Sequence, residues 1–146
     1  MTDAHPTQVL TEDECWAKLA ATEFGRMAYH LADEVHIAPV NYAVEGQTIV
    51  FRTAEGSKLL GVVMNEDVAF EIDRIEDDDE LAWSVIARGK AHLLEGDDAR
   101  DAEHLRLRPW VASRKFNVVA IHVDEISGRL FHLARPWRHM MPEDDT

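Results

Sequence analysis

A chain of 146 residues is the length of one domain and can bury about two thirds of its unfolded surface in a single core. With 46% hydrophobic and 29% charged residues it is not a disordered chain, and its net charge of −13 repels a phosphate backbone, which excludes general nucleic-acid binding. No apolar run reaches the ~18 residues of a membrane span, and Met1-Thr2-Asp3-Ala4-His5-Pro6 lacks the basic and apolar segments of a signal peptide. A cytoplasmic protein without membrane contact is expected.

The first element opens at Thr11-Glu12-Asp13-Glu14, a capping box with Thr11 as cap and Glu14 reaching back to the cap amide. A helix to about Ala21 follows, and Cys15, Trp16, Leu19 and Ala20 form its apolar stripe. Cys15, the single cysteine, excludes an internal disulfide and a cysteine zinc site, and three acidic neighbours oppose a thiolate, so it is read as packing. Phe24 to Leu31, Val35 to Val44 and Gln47 to Thr53 read as a three-stranded meander, interrupted by Ala32-Asp33-Glu34 and Glu45-Gly46. Pro39 removes a ladder donor and therefore belongs at an edge, at a bulge or facing a ligand.

After Ala54-Glu55-Gly56 a short helical stretch starts at Ser57, then Asp67 to Ile75 is a fourth strand and Glu76 to Glu80 a solvated acidic loop. Leu81 to Leu94 is long enough for a bent strand, with Gly89 as the bend. Asp97 caps a helix to Leu107 in which Ala99, Ala102 and Leu105 share a face, and Phe116 to Val123 with Arg129 to Leu133 form a closing hairpin around Ser127-Gly128. Sequential strands with short helices between them predict a mainly β, antiparallel barrel of one domain over residues 1–146, with 1–9 and 139–146 as flexible tails.

The segment from Ile49 to Leu59 carries the strongest chemical signal. A strand delivers Phe51, Arg52 and Thr53 to its end, Gly56 allows a tight turn, and Ser57 and Lys58 open a helix. Helix-terminal amides, hydroxyls and a cation together suit a phosphate, and in so acidic a chain that charge must be compensated locally. The same residues also make an ordinary strand-to-helix turn with a serine cap. His30 and His36 flank Asp33 as His122 and His132 flank Ser127, so each pair could face across a hairpin. Two histidines without a carboxylate beside them make a poor metal site, and no metal is expected.

Gly25-Arg26-Met27-Ala28-Tyr29, Pro39-Val40-Asn41-Tyr42, Ile49 to Lys58 and Arg88-Gly89-Lys90-Ala91 together resemble, in order and spacing, the pyridoxamine 5′-phosphate oxidase-like family of FMN-binding split barrels. The resemblance implies a six-stranded antiparallel split β-barrel and a homodimer with FMN between the subunits. It places Pro39, Val40, Asn41 and Tyr42 along the isoalloxazine ring, and Phe51, Arg52 and Thr53 on the ring-to-phosphate side. Ser57 and Lys58 then hold the phosphate, and Leu59 is the next cofactor-binding residue. Arg26 either reaches that phosphate or pairs on the surface with Glu23 or Glu45. Trp83, Trp110 and Trp137 are candidates for an apolar wall against the ring, with core or interface packing as the alternative.

The stretch Glu125 to Leu133 lacks the tryptophan and terminal arginine of the vitamin B6 oxidases. The resemblance therefore implies an oxidoreductase for another small-molecule substrate, with FMN or the deazaflavin F420 as cofactor. A non-catalytic protein that buffers or senses flavin, or holds haem, is the alternative.

Overall fold

The computed structural model describes residues 7–31, 33–54, 67–76, 78, 80–102 and 116–133. The strands are β1 (Thr7–Val9), β2 (Phe24–Leu31), β3 (Glu34–Glu45), β4 (Thr48–Ala54), β5 (Asp67–Glu76), β6 (Leu81–Leu94) and β7 (Phe116–His132), and the helices are α1 (Glu12–Ala21) and α2 (Gly96–Asp101). All pairings are antiparallel, and the sheet runs β1-β7-β4-β3-β2-β5-β6 with β6 returning to β7. Six strands, β2 to β7, therefore close into a barrel. β1 is a seventh strand laid on the edge of β7, so Thr7–Val9, expected as tail, belong to the sheet, while residues 1–6 and 139–146 lie outside the described residues.

Alternation along each strand sorts the side chains. Met27, Phe70, Ile72, Val85, Ala87, Ala91, Ile49, Phe51, Val119 and Ile121 point inward and form one core. α1 closes one end of the barrel with Cys15 and Leu19, both fully buried. Its capping box is complete: Glu14 N donates to Thr11 Oγ1 at 3.1 Å and Thr11 N to Glu14 Oε1 at 3.0 Å. Tyr42, inside the barrel, donates its hydroxyl to the Leu19 carbonyl at 2.8 Å and so ties the helix to β3. A second, smaller cluster of Val50, Ala102 and Ala120 lies outside the barrel wall.

Three expectations change. The closing hairpin is instead one continuous strand, β7, paired along one edge with β6 and along the other with β4 and then β1. Gly128 serves packing, because a Cβ there would stand 2.7 Å from Cys15 Sγ and 3.0 Å from Leu10 Cδ1. The cap of α2 falls two residues earlier than expected: Glu95 holds it without a side-chain bond, and Gly96 takes a φ of +60°. Asp97 thus sits in the first turn, and residues beyond Ala102 lie outside the described segments. The histidine pairs also do not form. The β2–β3 hairpin does turn at Asp33 (φ 64°), but register sets His36 against Tyr29 and His30 against Val35, on opposite faces of the sheet. His122 and His132 lie at different points along one strand.

Candidate functional site

Strands β3 and β4 share a ladder only from Glu45↔Thr48 to Tyr42↔Phe51. Beyond that pair they part: β3 stays with β2 as far as Glu34, while β4 stays with β7 as far as Ala54. The barrel is split along this seam. Tyr42 N donates toward β2, to the Glu23 carbonyl at 2.9 Å. By the antiparallel alternation the backbone groups of Pro39 and Ile37 then face the opposite way, into the seam. The donor that proline lacks is on this open side, where no strand requires it, which accounts for a proline inside a well-paired strand.

The seam gathers most of the residues singled out by sequence. Tyr42 and Phe51 form its floor, with exposures of 1% and 0%, and their side chains belong to the core. Val40 points inward from one wall and Thr53 from the other. Thr53 is the buried polar side chain among the described residues, and it faces Asn117 across the β4–β7 ladder at the barrel's end. A polar pair at a buried rim that apolar residues could fill more cheaply suits a polar guest. Arg52, half-buried, stands on the outer rim with Pro39 and Asn41. Ser57, Lys58 and Leu59 lie outside the described residues, as do Trp110 and Trp137.

Two candidates land elsewhere. Trp83 is on β6, across the barrel from the seam, 5% exposed, with Lys18 Nζ 4.5 Å from its ring centroid. Its ring lies beneath α1, away from the seam of its own chain. Arg26 lies one strand from the seam, directly across from Pro39, but pairs with Glu71 at 2.5 Å and Asp73 at 2.9 Å on β5 rather than with Glu23 or Glu45. Burial and the neighbouring Asp73 together hold the Glu71 carboxyl above its ordinary value, against the lowering effect of Arg26.

Sequence reasoning missed a concavity of about 450 Å³ on the outer face, lined by Tyr29, His30, Val35, Asp67, Arg88 and Asp124 among others. It is bounded by the bulge at Arg88/Gly89, where β7 skips Asp124. The signal was the Arg88-Gly89 step, read as a bend and as part of the family resemblance. Also missed was the stack of His92 on His122, with ring centroids 4.2 Å apart and planes 13° from parallel. Burial, then His122, lowers the His92 pKa below its ordinary value. Parallel rings do not aim their lone pairs at one ion, and among the described residues no three metal-ligating side chains cluster. Cys15 is fully buried, and burial followed by Glu14 and Glu12 raises its pKa, which suits a packing residue. Among the described residues no helix is long and apolar enough to cross a membrane.

Comparison with known proteins agrees with the geometry. The chain is similar to a pyridoxamine 5′-phosphate oxidase candidate from Corynebacterium glutamicum, with 38% identity, a TM-score of 0.83 and coverage of 92% of this chain and 99% of that one. It is similar to the FAD binding protein from Mycobacterium smegmatis, with 36% identity, a TM-score of 0.78 and coverage of 87% and 100%. An uncharacterised protein of Mycobacterium tuberculosis strain H37Rv is 44% identical over 91 residues, which span 60% of this chain and 79% of that protein. The family profile described as pyridoxamine 5′-phosphate oxidase matches residues 11–130, which take in α1, the whole β2–β3–β4 meander and the seam. The chain therefore belongs to the pyridoxamine 5′-phosphate oxidase family.

Proposed function

We propose that this protein binds a flavin nucleotide in the β3–β4 seam and serves as an oxidoreductase for a small molecule. The observation that carries the reading is the seam itself, an open strand edge with an apolar floor and the polar Thr53–Asn117 pair at its end. A flavin has the matching parts: a flat ring with hydrogen-bonding edges for a strand edge, and a phosphate for the polar end. The mycobacterial relative described as FAD-binding supports a flavin and the family resemblance implies FMN, so the proposal rests on the ribityl phosphate that both share. When bound, the flavin supplies hydride or electron transfer. The chain's residues would orient the ring against β3, keep water from its floor and compensate the phosphate charge.

The second subunit belongs to this proposal. Val35 and Ile37 are 66% and 68% exposed on the outer face of β3, beside Ala28 of β2. Exposed apolar residues in a row mark an interaction surface, and one barrel wall leaves the ring uncovered on its other side. A second copy of the chain would cover both.

The test is a fluorescence titration of the purified protein with FMN, FAD, riboflavin and deazaflavin, together with the absorption spectrum as isolated. FMN or FAD should bind at least tenfold more tightly than riboflavin, as expected for a phosphate held by charge-assisted bonds. Equal affinity for riboflavin would remove the phosphate from the site, and a Soret band without flavin bands would replace the cofactor with haem. Reduction of a dye by a reduced nicotinamide then separates an enzyme from a carrier.

A further inference from the structure

Arg26 occupies a position from which two different anions can be reached. Its register partners are Glu71 on β5 and Pro39 on β3, so its stem stands between the carboxylates on one side and the open seam on the other. Neighbouring strands are about 4.8 Å apart, within an arginine's reach in either direction. On the β3 side, among the described residues, Pro39 stands between it and the seam edge. In this structure the guanidinium leans toward β5, where one Nη1 meets both Glu71 and Asp73, and the cluster carries a net negative charge. The three side chains are 43%, 33% and 47% exposed, so solvent screens the clasp and makes it weak enough to exchange.

We infer that Arg26 has two positions, clasped to Glu71 and Asp73 or swung over Pro39 onto the phosphate of a nucleotide in the seam, and that the two carboxylates set the balance. The inference rests on the flavin reading and adds its control. Protonating Glu71 removes one competitor, so acidification favours the swung position; the raised proton affinity of Glu71 brings that step closer to neutral pH. The groups facing Glu71 are Arg26 from β2, Asp73 along β5 and, from β6, the apolar Ile86 flanked by Ser84 and Arg88. Of these Arg88 is the further charge, and it opposes Glu125 on β7.

The test measures FMN, FAD and riboflavin affinity at pH 5.5 and 7.5 for the wild type, Glu71→Gln, Asp73→Asn, Arg26→Gln and the Arg26→Gln/Glu71→Gln double variant. At pH 7.5, Glu71→Gln should bind FMN about threefold more tightly, the size of one exposed ion pair, with riboflavin unchanged. The double variant should lose that gain. The protonation of FMN's own phosphate near pH 6 acts equally on wild type and Glu71→Gln, so the difference between them reports Glu71. Asp73→Asn gives the same reading if Glu71→Gln does not fold. Tight FMN binding that neither carboxylate variant alters, or that Arg26→Gln leaves intact, overturns the inference while the flavin reading stands. Binding of neither FMN nor FAD by the wild type overturns both.

Discussion

Tyr42 is where the core, the helix and the seam meet. Its ring packs edge-on to Phe70 with centroids 4.8 Å apart, and its hydroxyl donates to Leu19 near the end of α1. Tyr42→Phe keeps the packing but leaves that carbonyl with the long bond from Thr22 N at 3.4 Å in place of the hydroxyl's, so stability should fall by about 1 kcal/mol; denaturant unfolding measures it. Trp83 is the opposite case. Its indole N–H is buried and finds no acceptor among the described residues, so Trp83→Phe should cost little stability and leave flavin binding unchanged. A loss of flavin in Trp83→Phe would return that residue to the site.

His92 gives the molecule an acid-sensitive point. Its pKa is lowered by burial and by His122, so the folded state favours the neutral ring and binds the proton less readily than the unfolded chain. Its contribution is complete above the ordinary histidine value of about 6.5 and is lost as pH falls through the lower folded value. Thermal unfolding between pH 7.5 and 5 should therefore show a decline that His92→Gln flattens. An unchanged slope in the variant would assign the acid sensitivity elsewhere.

At the scale of elements, β6 and β7 hold the barrel closed, and their ladder depends on one glycine. A Cβ at Gly89 would stand 1.9 Å from the His122 carbonyl oxygen, a backbone atom that cannot turn aside. Gly89→Ala must therefore break the bulge or part the strands, at a cost of about 3 kcal/mol or more, beyond ordinary overpacking. At Gly128 the clash is with the movable Cys15 and Leu10 side chains, although Ser84 O is also near at 3.1 Å. Gly128→Ala should cost about 1–3 kcal/mol, and Cys15→Ala in the same chain should recover part of it. Urea midpoints for the three variants check the order.

A chain of 16.6 kDa with a net charge of −13 repels its own copy, so a dimer must rest on apolar contact, and added salt should strengthen it. Sedimentation at micromolar concentration should give about twice the monomer mass. Ile37→Glu, which places a charge in the exposed apolar row, should give monomers with weakened flavin binding. A wild-type monomer that holds flavin tightly would refute the shared site.

What the sequence determined by itself is what short-range physics controls. The Thr11–Glu14 box, the end of α1 at Ala21, the β2–β3–β4 meander, the span of β6 and its irregularity at Gly89 follow from capping, alternation and turn residues, all local properties. Pro39 facing an open edge was legible too, because a missing donor restricts where a strand can lie. Only the tertiary structure decided the rest. A glycine kept small by distant side chains looks, in one dimension, like a turn, so Ser127-Gly128 reads as a hairpin, and only the fold sets Cys15 and Leu10 against Gly128. Arg26 found Glu71 and Asp73 because barrel closure sets β5 beside β2, and Trp83 went under α1 because β6 lies across the barrel from β3. Register and closure join residues far apart in the chain, and no local pattern encodes which strand will be the neighbour.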